Sequence, residues 1–261
     1  MSFDEKELAL KIALDKSGKN SMAYWYPKIE KLPIPQPLTV MTPLKVKYSQ
    51  RQRNFVMHPS HFNRIKKLVS KNFKYPIFIR GDGGSGKHDW KETCYVKRPA
   101  DLLQHILNVY HWHLECDVFG GMQCNYLAIR EFIQMDSMFT AFFGDMPVNP
   151  EIRVFADNGK ILCWHWYWVR DAIYRTSVEN WKELLSEKTK EVKANGEIKT
   201  VKEYARQVAQ LFSGYWSIDF CRAKSGRWYL IDMALGLSSW HKKGCHIEPE
   251  MYKKYAPGVR E

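Results

Sequence analysis

The chain has 261 residues, enough for one large domain or two small ones, and its 45% hydrophobic and 26% charged residues are an ordinary balance for a soluble protein. No stretch approaches the ~18 consecutive apolar residues that a membrane helix needs, and the first 20 residues lack the apolar core of a signal peptide. We therefore expect a cytoplasmic protein with no membrane partner. The net charge of +12 favours nucleic acid or another polyanion as a partner, and a solvated basic surface explains it equally well.

The cysteine pattern predicts buried free thiols. Six cysteines are present without a CxxC pair or another spacing typical of a metal finger, and most lie in apolar runs. They are Cys94, Cys116, Cys124, Cys163, Cys221 and Cys245.

The first half of the chain predicts helices around one strand. Apolar residues at helical spacing predict helices over 4–16, over 60–72 with Ser60 as N-cap, and from Pro99 to about 110. Five prolines in 24–43 predict an extended arm with little helix. The run Ile77-Phe78-Ile79 predicts a strand that leads into a glycine-rich stretch.

The second half mixes hairpins with helices. It predicts a buried strand over 126–134, hairpins over 151–168 and 215–234, helices over about 180–195 and 201–213, and an irregular basic tail from His241. This order favours the α+β class over a doubly wound parallel sheet.

Residues 81–88, GDGGSGKH, match the front of a P-loop, GxxxxGK. The position of the Mg²⁺-binding hydroxyl is His88, however, and the following strand-like segment lacks the helix N-terminus on which a P-loop seats phosphates. We favour a flexible glycine loop that joins two antiparallel strands and folds over a triphosphate, with Arg80 and Lys87 supplying charge and Lys97 nearby. A P-loop phosphotransferase and a plain hairpin loop are the alternatives.

Two aspartates are predicted to face each other across the second hairpin. If Ser225-Gly226 is a two-residue turn, Asp219 lies directly opposite Asp232, with Cβ atoms about 4.5–5.5 Å apart. Two carboxylates that close repel each other unless a cation lies near them, and Mg²⁺ is the natural ligand. The alternatives are a solvent-facing pair or separate ion pairs with lysine or arginine, and a one-residue register slip would separate the carboxylates.

The first hairpin is predicted to turn at Asn158-Gly159, which places Glu151, Arg153 and Phe155 on one face. A guanidinium held by a neighbouring carboxylate can bind an anion. A surface salt bridge is the equal alternative.

These segments together resemble the ATP-grasp superfamily, and most of all a branch of small ATP-grasp proteins named for one arginine and two lysines. The resemblance covers about 24–245 and rests on four segments in the family's order: FIRGDGGSGKHDWKETCYVK, IREFI, FTAFFGDMPVNPEIRVFADNGKI and WSIDFCRAKSGRWYLIDMALGLSSWH. It implies an α+β ATP-grasp fold in which two small lobes grip ATP between antiparallel sheets. The implied parts are a helix and proline-rich arm (1–57), a small lobe with the glycine loop (58–133), a large lobe with the metal site (134–245) and a basic tail (246–261).

The resemblance also implies roles for particular residues. Arg80 and Lys87 are expected to bind the ATP phosphates, with His88 and Lys97 nearby. Glu131 and the backbone of Phe132 and Ile133 are expected to lie at the adenine. Arg153 resembles the arginine that steadies the transferred phosphate, and Asp219 and Asp232 match the acidic residues that hold Mg²⁺.

The sequence departs from the family at Ala234, where many ATP-grasp enzymes carry a metal-binding asparagine. Fewer metal ligands remain, and Glu151, Ser239 and His241 are the candidate substrate residues nearby. The implied reaction is Mg-dependent and ADP-forming: a carboxylate is activated as an acyl-phosphate and attacked by an amine or similar nucleophile. The alternatives are a nucleic-acid-binding or nucleic-acid-modifying protein that uses the aromatic run at 164–168, and an ATP-grasp fold that binds nucleotide without turnover.

Overall fold

The computed structural model describes residues 5–118, 122, 124–257 and 259, and the chain divides into two compact units. The large unit contains Met1–Gln36, Gln134–Phe139 and Pro147–Glu261, and the small unit contains Pro37–Ile133 and Thr140–Met146. The segment predicted as an N-terminal arm therefore divides between the two units. Within the described residues, every helix is too short or too polar to cross a bilayer.

The helices and strands are numbered along the chain. The α-helices of the described residues are α1 (Glu5–Lys16), α2 (Met22–Ile29), α3 (Pro59–Asn72), α4 (Leu102–Val118), α5 (Trp181–Ala194), α6 (Glu197–Ala209) and α7 (Ile247–Tyr255). The strands are β1 (Thr39–Pro43), β2 (Lys47–Ser49), β3 (Asn54–Val56), β4 (Ile77–Gly81), β5 (Tyr95–Val96), β6 (Tyr126–Glu131), β7 (Phe139–Ala141), β8 (Met146–Val148), β9 (Glu151–Asp157), β10 (Lys160–Trp166), β11 (Tyr215–Arg222) and β12 (Trp228–Leu235).

The small unit is built on an antiparallel sheet in the order β1-β6-β4-β5. Ile77 and Ile79 of β4 share one fully buried cluster with Leu102 and Ile106 of α4, which explains the apolar stripe of that helix. The N-cap of α3 is His58 and not the predicted Ser60, because Pro59 is the first helical residue. The His58 ring accepts a hydrogen bond from the Ser60 backbone N–H.

The large unit is built on a second antiparallel sheet, in the order β10-β9-β11-β12. Helix α6 packs against three of these strands and buries Val201, Ala205 and Val208, which belong to the predicted apolar stripe. The helix begins at Glu197, four residues before the predicted start. Both predicted hairpins are confirmed, and together they supply all four strands.

Two predictions of irregular structure in this unit were wrong. Helix α2 extends into the start of the proline-rich segment 24–43 that was predicted as extended, and Trp25 and Ile29 on it are fully buried. That burial outweighs the hydrogen bond lost at Pro27, and Ser21 caps the helix through the Ala23 backbone N–H. The tail predicted as irregular contains α7, which is likewise held by buried side chains.

The second hairpin reaches its predicted register by a different route. Its loop is longer than the predicted two-residue turn, since the Ala223 N–H donates to the Arg227 carbonyl and Phe220 pairs with Leu230. A β-bulge then inserts one extra residue in β12, and Asp219 pairs with Asp232 as predicted. The bulge therefore compensates for the longer loop.

One buried histidine of the small unit should make stability depend on pH. His113 on α4 is 1% exposed and its Nδ1 lies 2.8 Å from the Val109 carbonyl, while its buried Nε2 has no hydrogen-bond partner. Burial is the main cause that lowers the pKa of His113 below its ordinary 6.5. The unfolded chain therefore takes up a proton first, so this contribution to stability is present above pH 6.5 and is lost as the pH falls below it.

We expect urea unfolding at a series of pH values to show a smaller acid loss of stability in His113→Gln than in the wild type. His111→Gln is the matched control, because His111 lies on the same helix with 56% of its side chain exposed. Equal acid sensitivity in the wild type and His113→Gln would assign the effect to other groups.

Candidate nucleotide and metal site

One row of side chains crosses all four strands of the large unit. His165 pairs with Arg153, Arg153 pairs with Asp219, and Asp219 pairs with Asp232. Because directly paired residues point to the same side of a sheet, these four side chains share one face. We call them the charged row.

Arg153 and Asp219 form the centre of the charged row. The Arg153 Nε and Nη2 atoms donate to the two carboxylate oxygens of Asp219 at 2.8 and 2.7 Å. Only 12% of the arginine side chain and 6% of the aspartate side chain are exposed. Burial alone would lower the pKa of Arg153, and the Asp219 carboxylate instead raises it above its usual value. Arg153 is therefore charged at neutral pH.

Arg153 and Asp232 of the charged row also make contacts outside the ion pair. Arg153 donates from Nη1 to the Trp240 carbonyl at 3.2 Å and lies over the Tyr167 ring. Asp232 is half-buried and its Oδ1 accepts from the Met233 N–H at 3.0 Å. Arg153, from the neighbouring hairpin, thus neutralises part of the charge of the two facing carboxylates. The sequence had left such an ion pair open as an alternative to a metal ion.

The donor set fits one Mg²⁺ ion. Arg153 offsets one of the two aspartate charges, so the trio keeps a net charge of −1. Each carboxylate oxygen has two lone pairs, so Asp219 retains acceptor capacity beyond its bonds to Arg153. Mg²⁺ is commonly bound by one or two carboxylates plus phosphate oxygens and water. Ala234, two residues after Asp232 and on the same face of β12, supplies no further ligand there.

The residues predicted to contact substrate, Glu151, Ser239 and His241, are buried or half-buried. The Ser239 hydroxyl lies 2.5 Å from that of Ser217, the strand partner of Ala234. His241 is 5% exposed and its ring stacks on Phe155 with centroids 3.9 Å apart. Glu151 is 3% exposed at the start of β9.

The glycine-rich loop of the small unit joins β4 to β5, which are antiparallel. It is followed by a three-residue 3₁₀-helix, Lys87–Asp89, and not by the α-helix that a P-loop requires. The predicted strand beyond it is short, since only Tyr95 and Val96 pair. The geometry at 87–96 excludes the P-loop alternative.

The glycines also have a packing role. A Cβ at Gly81 would lie 2.3 Å from the His113 ring, and one at Gly84 would lie 2.8 Å from the Trp112 ring, both on α4. Gly86 has a φ of +61°, which favours glycine. Asp82, which sequence reasoning missed, is 2% exposed and accepts from the Asn125 and Tyr126 N–H groups, so it anchors the start of the loop.

The predicted basic groups of this unit differ in exposure. Arg80 is 3% exposed with its Nε bonded to the Gly81 carbonyl at 3.1 Å, and Lys87 is half-buried at the end of the loop. His88 stacks on Phe142 with ring centroids 4.4 Å apart. Lys97 is exposed just beyond β5.

The strand predicted to receive adenine ends beside an aromatic cluster. Glu131 accepts from the Leu38 N–H at 2.8 Å, which fixes the end of β6 against the chain before β1. The ring centroid of Phe132 lies 5.0 Å from that of Tyr95 and 6.3 Å from that of Trp90. These rings and Ile133 are half-buried. Sequence reasoning missed Trp90 and Tyr95, although they and Phe132 all lie in the segments on which the family resemblance rests.

The structure also brings together a cluster that sequence spacing concealed. One potential ligand atom from each of Cys163, His165, His241 and Cys245 lies within 4.8 Å of the others. The short spacings Cys163-x-His165 and His241-x₃-Cys245 are the signal that could have indicated it. The cysteine reading considered only Cys–Cys spacings.

The aromatic run predicted to stack on bases forms one side of a groove in the large unit. Its lining includes Trp164, Trp166 and Trp168 together with four basic residues, Arg170, Lys193, Lys242 and Lys243. Trp168 is anchored by a 2.9 Å hydrogen bond from its Nε1 to the Asn149 carbonyl.

Several solved structures resemble parts of this chain at low sequence identity. N5-carboxyaminoimidazole synthase from Aspergillus clavatus, in complex with ADP and 5-aminoimidazole ribonucleotide, is 11% identical with a TM-score of 0.47 over 90% of this chain and 47% of that chain. VanG D-Ala:D-Ser ligase from Enterococcus faecalis is 11% identical with a TM-score of 0.47 over 85% of this chain and 54% of that chain. The ATP-grasp ligase PsnB, complexed with minimal precursor, Mg and ADP, is 10% identical with a TM-score of 0.41 over 87% and 52%.

This chain spans about half the length of those structures. No curated protein matches it in sequence. The sequence profile of an ATP-grasp domain, family 3 of the clade named for one arginine and two lysines, matches residues 45–254, which include the glycine loop and the charged row. The chain therefore belongs to that ATP-grasp family and has its α+β fold.

Proposed function

We propose that this protein is an ATP-dependent, ADP-forming ligase that activates a carboxylate for attack by an amine or similar nucleophile. The observation that carries the proposal is the charged row, in which a buried arginine and two aspartates meet on adjacent strands of an ATP-grasp fold. Such a row fixes one cation and places two carboxylates where they can hold a second one, Mg²⁺, and positive groups at fixed positions stabilise the charge of a transferring phosphoryl group.

In this proposal the small unit binds the nucleotide. Arg80 and Lys87, with His88 and Lys97 nearby, neutralise the triphosphate, and the glycine backbone lets N–H groups approach its oxygens. Adenine lies at the end of β6, where Glu131 and the backbone of Phe132 and Ile133 define the edge. The half-buried rings of Trp90 and Tyr95 support this placement, because planar aromatic faces suit a purine.

The large unit acts on the transferred group. Asp219 and Asp232 would hold Mg²⁺, which supplies charge neutralisation at the phosphate oxygens. Arg153 neutralises the γ-phosphoryl group as it passes from ATP to the carboxylate oxygen and ADP leaves. The amine then attacks the acyl carbon, loses a proton and expels phosphate. The ion pair with Asp219 fixes the guanidinium orientation, so little reorganisation is needed during transfer.

Calorimetric titration with ATP, with and without Mg²⁺, tests this assignment. We expect Mg²⁺ to strengthen binding by the wild type, and Asp232→Asn to lose roughly tenfold in affinity, ~1.4 kcal/mol, only when Mg²⁺ is present. Asp232→Asn is preferable to a change at Asp219, because it leaves the buried Arg153 pair intact. Asp171→Asn, an exposed aspartate of the same unit, is the matched control.

Two outcomes of that titration would contradict the proposal. The wild type could fail to bind ATP under any metal condition, or Asp232→Asn could bind Mg-ATP as the wild type does. If ATP binds, ADP release is then measured with amino acids, peptides and nucleic acids as acceptors. ATP binding without any ADP release across acceptors would favour a nucleotide-binding fold without turnover.

A second candidate function is binding of nucleic acid or another polyanion by the tryptophan-lined groove. The groove supports it because Trp164 and Trp166 adjoin Lys242 and Lys243, the pairing of aromatic and basic groups that suits single strands. Binding of an oligonucleotide that needs no ATP and weakens steeply with salt would favour it.

A further inference from the structure

Two half-buried cysteines and two histidines meet at the end of the charged row that His165 forms. Cys163 and His165 are two residues apart on β10 and so share one face. His241 and Cys245 come from the loop after β12. Gly244 has a φ of +81° and the Cys245 N–H donates to the Lys242 carbonyl at 3.1 Å, so a tight turn brings Cys245 back toward β10.

The separations within the cluster match those of a tetrahedral ion site. Bond lengths of about 2.05 Å to nitrogen and 2.3 Å to sulfur imply ligand edges of about 3.3 Å between nitrogens and about 3.6 Å between nitrogen and sulfur. The His165 Nε2 and His241 Nδ1 atoms are 3.1 Å apart. The Cys163 Sγ lies 3.6 Å from the His165 Nε2, and one potential ligand atom of each of the four residues lies within 4.8 Å of the others.

We propose that Cys163, His165, His241 and Cys245 bind one structural Zn²⁺ ion. Two thiolates and two neutral imidazoles form a common zinc ligand set, and four protein ligands close the site. The two thiolate charges balance the ion, so a neutral site results next to the Arg153 guanidinium. A two-iron cluster does not fit, because it places its cysteines and histidines on different metals.

Outer contacts of the cluster support the assignment. The Tyr215 hydroxyl lies 2.9 Å from the His241 Nε2, an interaction that leaves Nδ1 to face His165. Such hydrogen bonds to the second ring nitrogen commonly orient metal-bound histidines.

The proposed ion has a consequence for the charged row. It ties the loop at 241–245 to β10, and the adjacent Trp240 carbonyl accepts the 3.2 Å hydrogen bond from Arg153. The ion would thus hold the arginine's third contact in place without touching substrate.

Metal analysis of the purified full-length chain tests the site directly. We expect about one zinc ion per chain and, after cobalt replacement, the visible absorption of a tetrahedral thiolate-bound ion. The variant Cys163→Ser/Cys245→Ser should lose both signals. Cys116→Ser, a half-buried cysteine on α4 away from the cluster, should keep them. Tyr215→Phe keeps the ring and should weaken zinc affinity about 10- to 100-fold.

Thiol labelling of the wild type covers the case in which the double variant does not fold. Cys163 and Cys245 should be protected from alkylation until a chelator is added, whereas the labelling of Cys116 should not respond to the chelator. The proposal is overturned if the folded wild type binds neither zinc nor cobalt. It is also overturned if the double variant retains the ion, or if Cys163 and Cys245 are found joined as a disulfide in the metal-free protein.

Discussion

Asp219→Ala should destabilise the protein by about 3–5 kcal/mol, because it leaves the Arg153 guanidinium buried without its carboxylate. The pair makes two hydrogen bonds of 2.8 and 2.7 Å in a site where little of either side chain reaches water. Urea unfolding at neutral pH measures the loss. The variant Arg153→Met/Asp219→Ala, which removes both charges, should recover most of it, because the pair's own desolvation cost disappears as well.

Asp101→Ala is the matched control for burial. Arg98 and Asp101 form the same two-bonded geometry at 3.0 and 3.0 Å, but 70% of the Arg98 side chain is exposed. Water solvates the arginine left behind, so the loss should be much smaller. Equal losses in Asp219→Ala and Asp101→Ala would show that burial of the charged row does not set its energetics.

Gly144→Ala should cost about 3 kcal/mol and weaken ATP binding. A Cβ at this position would lie 2.2 Å from the Trp90 backbone nitrogen and 2.5 Å from the Asp89 carbonyl carbon, so backbone must move. The Gly144 N–H also donates to the His88 carbonyl at 3.1 Å, so the shift reaches the end of the glycine loop. Urea unfolding and ATP calorimetry measure the two effects.

Gly18→Ala is the control for glycine replacement itself. Gly18 has a φ of +68° and nothing within 4 Å of an added Cβ, so only the cost of the left-handed backbone applies, about 1–2 kcal/mol. ATP affinity should not change in that variant. If Gly144→Ala binds ATP as the wild type does, the close contact does not position the loop.

Local turn chemistry carried much of the prediction. Asn158-Gly159 paired β9 with β10 as predicted, because a short hairpin sets the register of its own strands. Asp219 came to face Asp232 only because the bulge in β12 offsets a loop longer than the predicted turn. The segment after Lys87 showed no helix in the sequence, and the structure has no α-helix at that place. The four ordered segments indicated the ATP-grasp fold, which the family match over 45–254 confirms.

Contacts between separate segments were decided only by the tertiary structure. Arg153 pairs with Asp219 across β9 and β11, strands of different hairpins, and neither turn specifies that neighbour. The bulge in β12, the burial that makes Pro27 tolerable in α2, and the meeting of β10 with the loop at 241–245 are of the same kind. Each depends on which segments, far apart along the chain, pack against one another, and short-range spacing in the sequence carries no information about that packing.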